Sequence, residues 1–416
     1  MTQQTEPVFL KQAELIGEKI CRGAFWLGKE CYWQDDFIEL EGSKEEVVRR
    51  PTSLDIYFGA SGIALFLATL YSLAPKELYR TTAEGSAKLT LDLVENLDPR
   101  FPIGFYIGHA GIAYSLMELG EQFSNEQFIT SGRRLIRQIS DRDIASQGFD
   151  LFSGLAGTIP VLLMVYRKYS DQFVLDLAIK YGDHLIASAT RSDNVLTWPG
   201  VDDVPSLTQS QRGFAHGNAG IGWALLELSA VTGEQRFLTA AEEIFRHQQT
   251  WIDQLRRRLE EPEKLSVDAL RHTLSWCNGA VGAGLSRLRA YELTGKQIYK
   301  DESDALSTAT KAVDVSNQNY SVCHGIAGTA DLFIYTSQVL GDPGYKAAAT
   351  QIGLKGIEQI EQKGLPWPCH SGPLGETLNL MSGLAGIGYF YLRLHDPGKT
   401  QPVTMLLPER LTRERH

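Results

Sequence analysis

Segments that are apolar on nearly every side alternate along this chain with segments that are apolar on one side only. Ile63-Ala64-Leu65-Phe66-Leu67-Ala68 and Ile221-Gly222-Trp223-Ala224-Leu225-Leu226 are of the first kind, and a helix without a polar face has to be buried. The second kind is seen after Gln235. There Phe237, Ala240, Ala241, Ile244, Phe245, Trp251 and Ile252 share one face and Arg236, Glu242, Glu243 and Arg246 take the other, the period of a surface helix. Similar openings follow short polar turns at Gln127-Phe128-Ile129-Thr130 and Gln172-Phe173-Val174.

A Gly-x-x-Gly element stands at the start of this pattern in each repeat: Gly59/Gly62, Gly108/Gly111, Gly154/Gly157, Gly217/Gly220, Gly279/Gly282, Gly325/Gly328 and Gly383/Gly386. The starts lie 46 to 63 residues apart, room for one helical hairpin per repeat. Seven buried helices alternating with seven amphipathic ones can close into a ring, so the predicted fold is all-α, an α/α toroid of seven inner and seven outer helices. Closure removes the need for capping repeats. It also lets 416 residues form one domain, beyond the size at which a single core usually stops growing. One domain over 1–416 is expected, its core running from about Leu15 to Leu407. The longest interval holds a polar stretch from Ser192-Asp193-Asn194 to Thr208-Gln209-Ser210; with Trp198-Pro199-Gly200 and Asp202-Asp203 it reads as a rim loop rather than core. The glycines themselves read as structural, serving tight turns or close helix packing.

A hydrophobic content of 43% and a charged content of 22% are those of a soluble globular protein. Apolar runs fall short of a membrane span, and the first residues do not resemble a secretory signal. Five cysteines in no paired framework fit a reducing compartment, so a cytoplasmic location is expected. A net charge of −10 disfavours a nucleic-acid backbone as partner and is compatible with a neutral or basic peptide.

If every Gly-x-x-Gly opens an inner helix, the residues just before the turns converge on one mouth of the ring. Repeats one, two and seven offer Tyr57-Phe58, Tyr106-Ile107 and Met381-Ser382 there. Repeats four, five and six offer His216, Trp276-Cys277 and Cys323-His324, and repeat three has Asp150 slightly upstream. Cys277, Cys323 and His324 make a three-ligand zinc set that leaves a fourth position open, the pattern of a catalytic site. Taken singly, a cysteine beside Trp276 would be a small buried hydrophobe, a lone histidine a hydrogen-bonded structural group, and Asp150 a loop or capping residue. Their equivalent positions in adjacent repeats are what point to a metal. Cys369-His370 repeats the Cys-His doublet but follows Leu365-Pro366-Trp367-Pro368 and reads as connecting loop. His109 and His272 have weaker claims to the rim, and Cys21 and Cys31 read as packing residues.

Gly213-Phe214-Ala215-His216-Gly217, Trp276-Cys277-Asn278-Gly279 and Ser321-Val322-Cys323-His324-Gly325 resemble, in order, the three signature segments of the lanthionine synthetase C-like family, the zinc-dependent cyclases of lanthipeptide biosynthesis. The resemblance runs from about Leu15 to Leu407. Leu54-Asp55-Ile56-Tyr57-Phe58-Gly59 and Met381-Ser382-Gly383-Leu384-Ala385-Gly386-Ile387-Gly388-Tyr389 look most similar to the C-terminal cyclase domain of bifunctional class II synthetases. Because Met1 falls almost at the start of that domain, a free-standing cyclase, a partner of a split synthetase and an excised domain are the expected forms. The resemblance implies that Cys277, Cys323 and His324 bind zinc and that His216 and Asp150 have acid–base roles. It also implies a dehydrated precursor peptide, leader plus core, as substrate and a separate dehydratase as a candidate partner. Where the family commonly has Tyr or His after the first zinc cysteine, this chain has Asn278, which can hydrogen-bond an enolate oxygen but cannot exchange a proton near neutral pH. The family's arginine offset falls on Thr273, with Arg271 nearby and Arg212 before His216, so that role stays open.

Two thiolates and a neutral imidazole leave a zinc ion formally neutral, and a substrate thiol in the fourth position would lose its proton. The expected reaction is addition of that thiol to a dehydroalanine or dehydrobutyrine, with His216 moving the proton and Asp150 orienting it. Two other readings use the same residues. One is zinc-dependent addition of glutathione to a dehydrated residue. The other is a non-catalytic peptide-binding toroid, which three ligands disfavour because structural zinc sites are usually closed by four. A glycan-processing toroid would need two facing carboxylates that the mouth positions lack.

Overall fold

The computed structural model describes residues 6–41, 44–192, 195–198, 212–315, 318–369 and 375–408. The chain opens with α1 (Glu6–Arg22) and two hairpins, β1–β2 (Phe25–Leu27 and Glu30–Tyr32) and β3–β4 (Gln34–Glu41 and Lys44–Pro51). Then come α2 (Ala60–Leu73), α3 (Glu77–Val94), α4 (His109–Phe123), α5 (Glu126–Ser140), α6 (Leu155–Tyr169) and α7 (Gln172–Ser188), followed by the hairpin β5–β6 (Thr190–Ser192 and Val195–Thr197). The rest is α8 (Asn218–Thr232), α9 (Gln235–His247), α10 (Gln249–Glu260), α11 (Val267–Leu274), α12 (Ala280–Thr294), α13 (Gln297–Ala312), α14 (Ile326–Leu340), α15 (Pro343–Gly356) and α16 (Leu384–His395).

The seven apolar segments are α2, α4, α6, α8, α12, α14 and α16. Each packs on the next, and α16 returns to α2. Each also has an outer helix: α3, α5, α7, α9, α13 and α15 follow their inner partners, while α1 packs on α16. The result is the expected all-α toroid of seven inner and seven outer helices. Its seventh hairpin is made by the two ends of the described chain, which shuts the ring.

Every first glycine of the Gly-x-x-Gly pairs is the residue before an inner helix. The second lies in the first helical turn, hard against the carbonyl six residues upstream. A Cβ on Gly111 would stand 1.8 Å from Phe105 O, one on Gly282 2.0 Å from Trp276 O, and one on Gly328 2.1 Å from Val322 O. Each turn is thus folded tightly beneath its own helix, at a distance only glycine permits.

Four features depart from the sequence expectation. The surface helix read from Phe237 to Ile252 is two helices, α9 and α10, broken at Gln248, whose Nε2 donates to Arg212 O (2.8 Å) while its Oε1 accepts from Arg287 (3.1 Å). The three hairpins were not foreseen; Gly28 at φ +64° makes the turn of β1–β2. Trp198 is core rather than rim, 2% exposed, with Nε1 donating to Leu185 O at 2.8 Å; the rest of that stretch, with Asp202 and Asp203, lies outside the described residues. The apolar inner helices also bury charges. Arg289 on α12 pairs with Glu227 on α8 (2.5 and 3.1 Å), Arg393 on α16 with Asp331 on α14 (2.8 Å), and Arg287 on α12 with Glu302 on α13 (2.6 Å). A buried charge without a partner is strongly unfavourable, so each pair joins neighbouring elements in one relative position.

Among the described residues no helix is long and apolar enough to cross a membrane.

The glycine contacts generate a direct test. Gly111→Ala should lose about 1–3 kcal/mol or more of stability through overpacking, measured by chemical denaturation. Gly375→Ala, whose added methyl would meet nothing within 4 Å, should stay within about 0.5 kcal/mol of the parent.

Candidate metal centre

The main chain of each turn is bonded to that of the next. Tyr57 N donates to Tyr106 O (2.9 Å), Ile107 N to Phe152 O (3.0 Å), Phe152 N to Ala215 O (3.0 Å), Ala215 N to Cys277 O (3.0 Å), Trp276 N to Cys323 O (2.8 Å), Cys323 N to Met381 O (2.8 Å) and Met381 N to Tyr57 O (3.3 Å). This closed circuit brings the residues before the glycines to one mouth.

Five of the seven turns are also braced from within. Four residues before the first glycine, a side-chain oxygen accepts from the backbone N–H three residues on: Asp55 from Phe58 (2.7 Å), Asp150 from Ser153 (2.9 Å), Ser275 from Asn278 (3.3 Å), Ser321 from His324 (3.2 Å) and Asn379 from Ser382 (2.8 Å). Short polar side chains do this well because they mimic a backbone turn.

The circuit sets Cys277, Cys323 and His324 side by side. Their donor atoms all lie within 4.8 Å of one another, with His324 Nε2 3.3 Å from Cys277 Sγ and 4.0 Å from Cys323 Sγ. Tetrahedral zinc with bonds of about 2.3 Å to sulfur and about 2.0 Å to nitrogen separates its donors by roughly 3.5–3.8 Å. The two thiols and one imidazole therefore fit a zinc-type cation in both chemistry and spacing. The same closeness couples their protons. A hydrogen bond with Cys323 holds the Cys277 thiol well below the ordinary range against the effect of burial, and His324 adds to this. Burial pushes Cys323 well above that range. Burial would lower the His324 imidazole too, yet the charge and bond of Cys277 hold it raised.

His216 and Asp150 meet beside this cluster. His216 Nδ1 lies 3.2 Å from Asp150 Oδ2, and Asp150 Oδ1 is the oxygen that braces the third turn. The His216 ring packs on Phe152, with centroids 4.6 Å apart. Burial opposes its protonation, but the bond and charge of Asp150 prevail, helped by Cys277, and hold the imidazole above its ordinary range.

Three further residues lie close to the ligands in space or in sequence. Tyr57, not assigned a role in the sequence, is buried with its hydroxyl beside Cys323, and burial followed by the two cysteines holds its proton on. Arg271 on α11 lies near enough to His324 to oppose its protonation; its Nε is buried without a hydrogen-bond partner among the described residues, and Nη1 donates to Asp268 (2.7 Å). Asn278 is also buried, and its Oδ1 has no partner among the described residues. Arg212 points elsewhere, donating to Gln254 at 3.4 Å, and Thr273 is tied to Ala269 O at 2.8 Å. Of the two arginines considered in the sequence, Arg271 is thus the one near His324.

The weaker candidates stand apart. His109 bonds Pro102 O (3.0 Å) and packs on Phe101 and Arg142. His272 is half-buried on α11. Cys369 is buried with its thiol pushed up to about 12 by burial, and His370 lies outside the described residues. Cys21 and Cys31 are buried, with thiols raised by burial to about 11 and about 12.

The family described as "Lanthionine synthetase C-like protein" matches residues 50–407. The chain is 25% identical over 363 residues to the lacticin 481/lactococcin biosynthesis protein LcnDR2 of Lactococcus lactis subsp. lactis, covering 82% of this chain and 36% of that one. It therefore spans about a third of that relative's length. It is 22% identical over 359 residues to the glutathione S-transferase LANCL1 of Danio rerio, covering 83% of each. Among solved structures it is similar to nisin cyclase, with a TM-score of 0.63 at 19% identity over 82% of this chain and 88% of that one.

Two measurements follow from the geometry. Elemental analysis of purified protein should find about one zinc per chain, and Cys277→Ala should lose it. Asp150→Asn keeps an acceptor for the turn but removes the charge, so the His216 imidazole should titrate at lower pH than in the parent, followed by NMR of the ring. An unmoved titration would mean that Asp150 does not govern His216.

Proposed function

The chain belongs to the lanthionine synthetase C-like family, and from that premise and the geometry of the mouth we propose that it is a zinc-dependent cyclase that closes thioether rings in a dehydrated peptide. The observation that carries the proposal is the joining of the Cys277–Cys323–His324 set to the His216–Asp150 pair at the same mouth. Zinc, when bound by Cys277, Cys323 and His324, supplies the means to keep a substrate cysteine deprotonated yet nucleophilic near neutral pH.

The peptide's thiol adds across the double bond of a dehydroalanine or dehydrobutyrine in the same molecule. A sulfur–carbon bond forms at the β-carbon, the electron pair passes to the α-carbon and its carbonyl, and a proton at the α-carbon completes lanthionine or methyllanthionine. Atoms are conserved, so no oxidant or organic cofactor is needed. His216 is the group to move the proton, taking it from the thiol or giving it to the α-carbon through Nε2, the nitrogen Asp150 leaves available. Asp150 fixes the ring and favours its charged form. Arg271 and Asn278, whose Nε and Oδ1 have no partner among the described residues, are assigned to the substrate's polar groups, Arg271 to the developing enolate charge. The substrate arrives already dehydrated, by a dehydratase on a separate chain or a neighbouring domain.

A second reading is favoured by one observation, the similarity over 83% of each chain to a protein named a glutathione S-transferase. It keeps the same residues and takes its thiol from glutathione. One assay separates the two. A dehydrated peptide carrying one cysteine and one dehydroalanine is incubated with the protein and glutathione. Cyclisation consumes the free thiol at unchanged mass; a peptide that instead gains the mass of glutathione would sink the cyclase reading. His216→Ala should slow ring closure by about 100-fold or more while keeping the metal, and Cys323→Ala should lose both.

A further inference from the structure

The segment that follows α16, residues 396–408, runs inside the ring. It begins at the end of the inner helices away from the turns, where Gln338 Nε2 in the last turn of α14 donates to Pro397 O (3.1 Å). It finishes among the residues of the mouth. Tyr106 Oη donates to Val403 O (2.9 Å) and Trp276 Nε1 to Thr404 O (2.8 Å). Tyr106 and Trp276 belong to the second and fifth turns, on different sides of the ring, so the segment stands in the bore beneath the metal centre. Thr404, Met405, Leu406 and Leu407 are all buried there.

Apolar packing alone would let such a segment slide along the bore. A polar chain sets its height. Thr404 Oγ1 donates to Asp331 Oδ2, Asp331 Oδ1 accepts from Arg393 Nε (2.8 Å), and Arg393 Nη1 donates back to Thr400 O and to Pro397 O (3.2 Å). Trp276 is held at both ends as a result. Its side chain hangs on Thr404, its backbone N–H is bonded to Cys323 O (2.8 Å), and its ring packs edge to face with Tyr106, centroids 4.7 Å apart. The next residue is Cys277. An indole N–H is a donor only, and buried it must find an acceptor; here the acceptor is the segment's main chain.

We propose that residues 400–407 form a central post that positions Trp276, and through it the Cys277 and Cys323 sulfurs, so that the segment is a positioning element of the metal centre rather than filler. This rests on the metal reading above, and the test separates the two. Zinc affinity is measured by competition with a chromophoric chelator, and the site geometry by the absorption of bound Co²⁺, in the full chain, in Trp276→Phe and in Thr404→Val. Trp276→Phe keeps an aromatic ring and removes the indole donor; Thr404→Val keeps the volume and removes the link to Asp331.

The expected result is zinc binding weakened about 10- to 100-fold in each variant, as for lost outer-shell support, with a shifted cobalt spectrum. Parental affinity and spectrum in both variants, whatever their melting temperatures, would overturn the post. If Trp276→Phe does not fold, Thr404→Val alone decides in the same terms. A parent chain that binds neither ion would overturn the metal reading itself, and the post with it.

Discussion

Tyr57 bonds to Tyr106, and turn by turn the main chain hands on this contact until Met381 bonds to Tyr57 again. Strand-like bonding at the mouth, and not helix packing alone, sets the distances between turns. Helix contacts tolerate scatter of several degrees and tenths of an ångström, whereas a hydrogen bond fixes its two ends closely. The braces at Asp55, Asp150, Ser275, Ser321 and Asn379 stiffen five of the turns inside that circuit, and the second glycines pack tightly beneath their helices in all seven. Because Ala215 N meets Cys277 O and Trp276 N meets Cys323 O, residues from the fourth, fifth and sixth turns are bonded through main chain beside the side chains that converge. The spacing of two sulfurs and an imidazole is thus a property of the scaffold.

The features legible in the sequence are those that repeat locally. Gly-x-x-Gly recurs because each turn meets the same steric demand, and the inner and outer helices differ in polarity because they differ in burial. Ligand-type residues at equivalent places in adjacent repeats could be gathered to one mouth from the repeat alone. What escaped depends on partners far along the chain. Glu227 and Arg289 are separated by 62 residues and Trp276 and Thr404 by 128, and no local period announces either contact. The break at Gln248 arises where its side chain serves Arg212 and Arg287, while an unbroken apolar face continues across it. Arg271 illustrates the limit of spacing rules: α11 turns it toward His324, although a motif offset would have chosen Thr273.

The buried ion pairs have an organising effect that apolar packing would lack. Inner helices apolar on nearly all sides could be rotated about their axes with little change in buried area. Arg289 with Glu227 and Arg393 with Asp331 select one rotation, since any other would leave a charge without its partner in a medium of low polarity. Both pairs run between adjacent inner helices, so the same contacts that orient the helices also hold the ring together.

Asp55 and Asp150 occupy the same place in the first and third turns and brace them with the same oxygen. Each then has one oxygen to spare. In the first turn it accepts from Ser53 Oγ at 2.5 Å; in the third it faces His216 at 3.2 Å. A carboxylate doing scaffold duty is therefore one neighbour away from handling protons. In such a ring, reactive chemistry can migrate from one turn to another through exchange of the side chain opposite, while the backbone that carries it stays as it was.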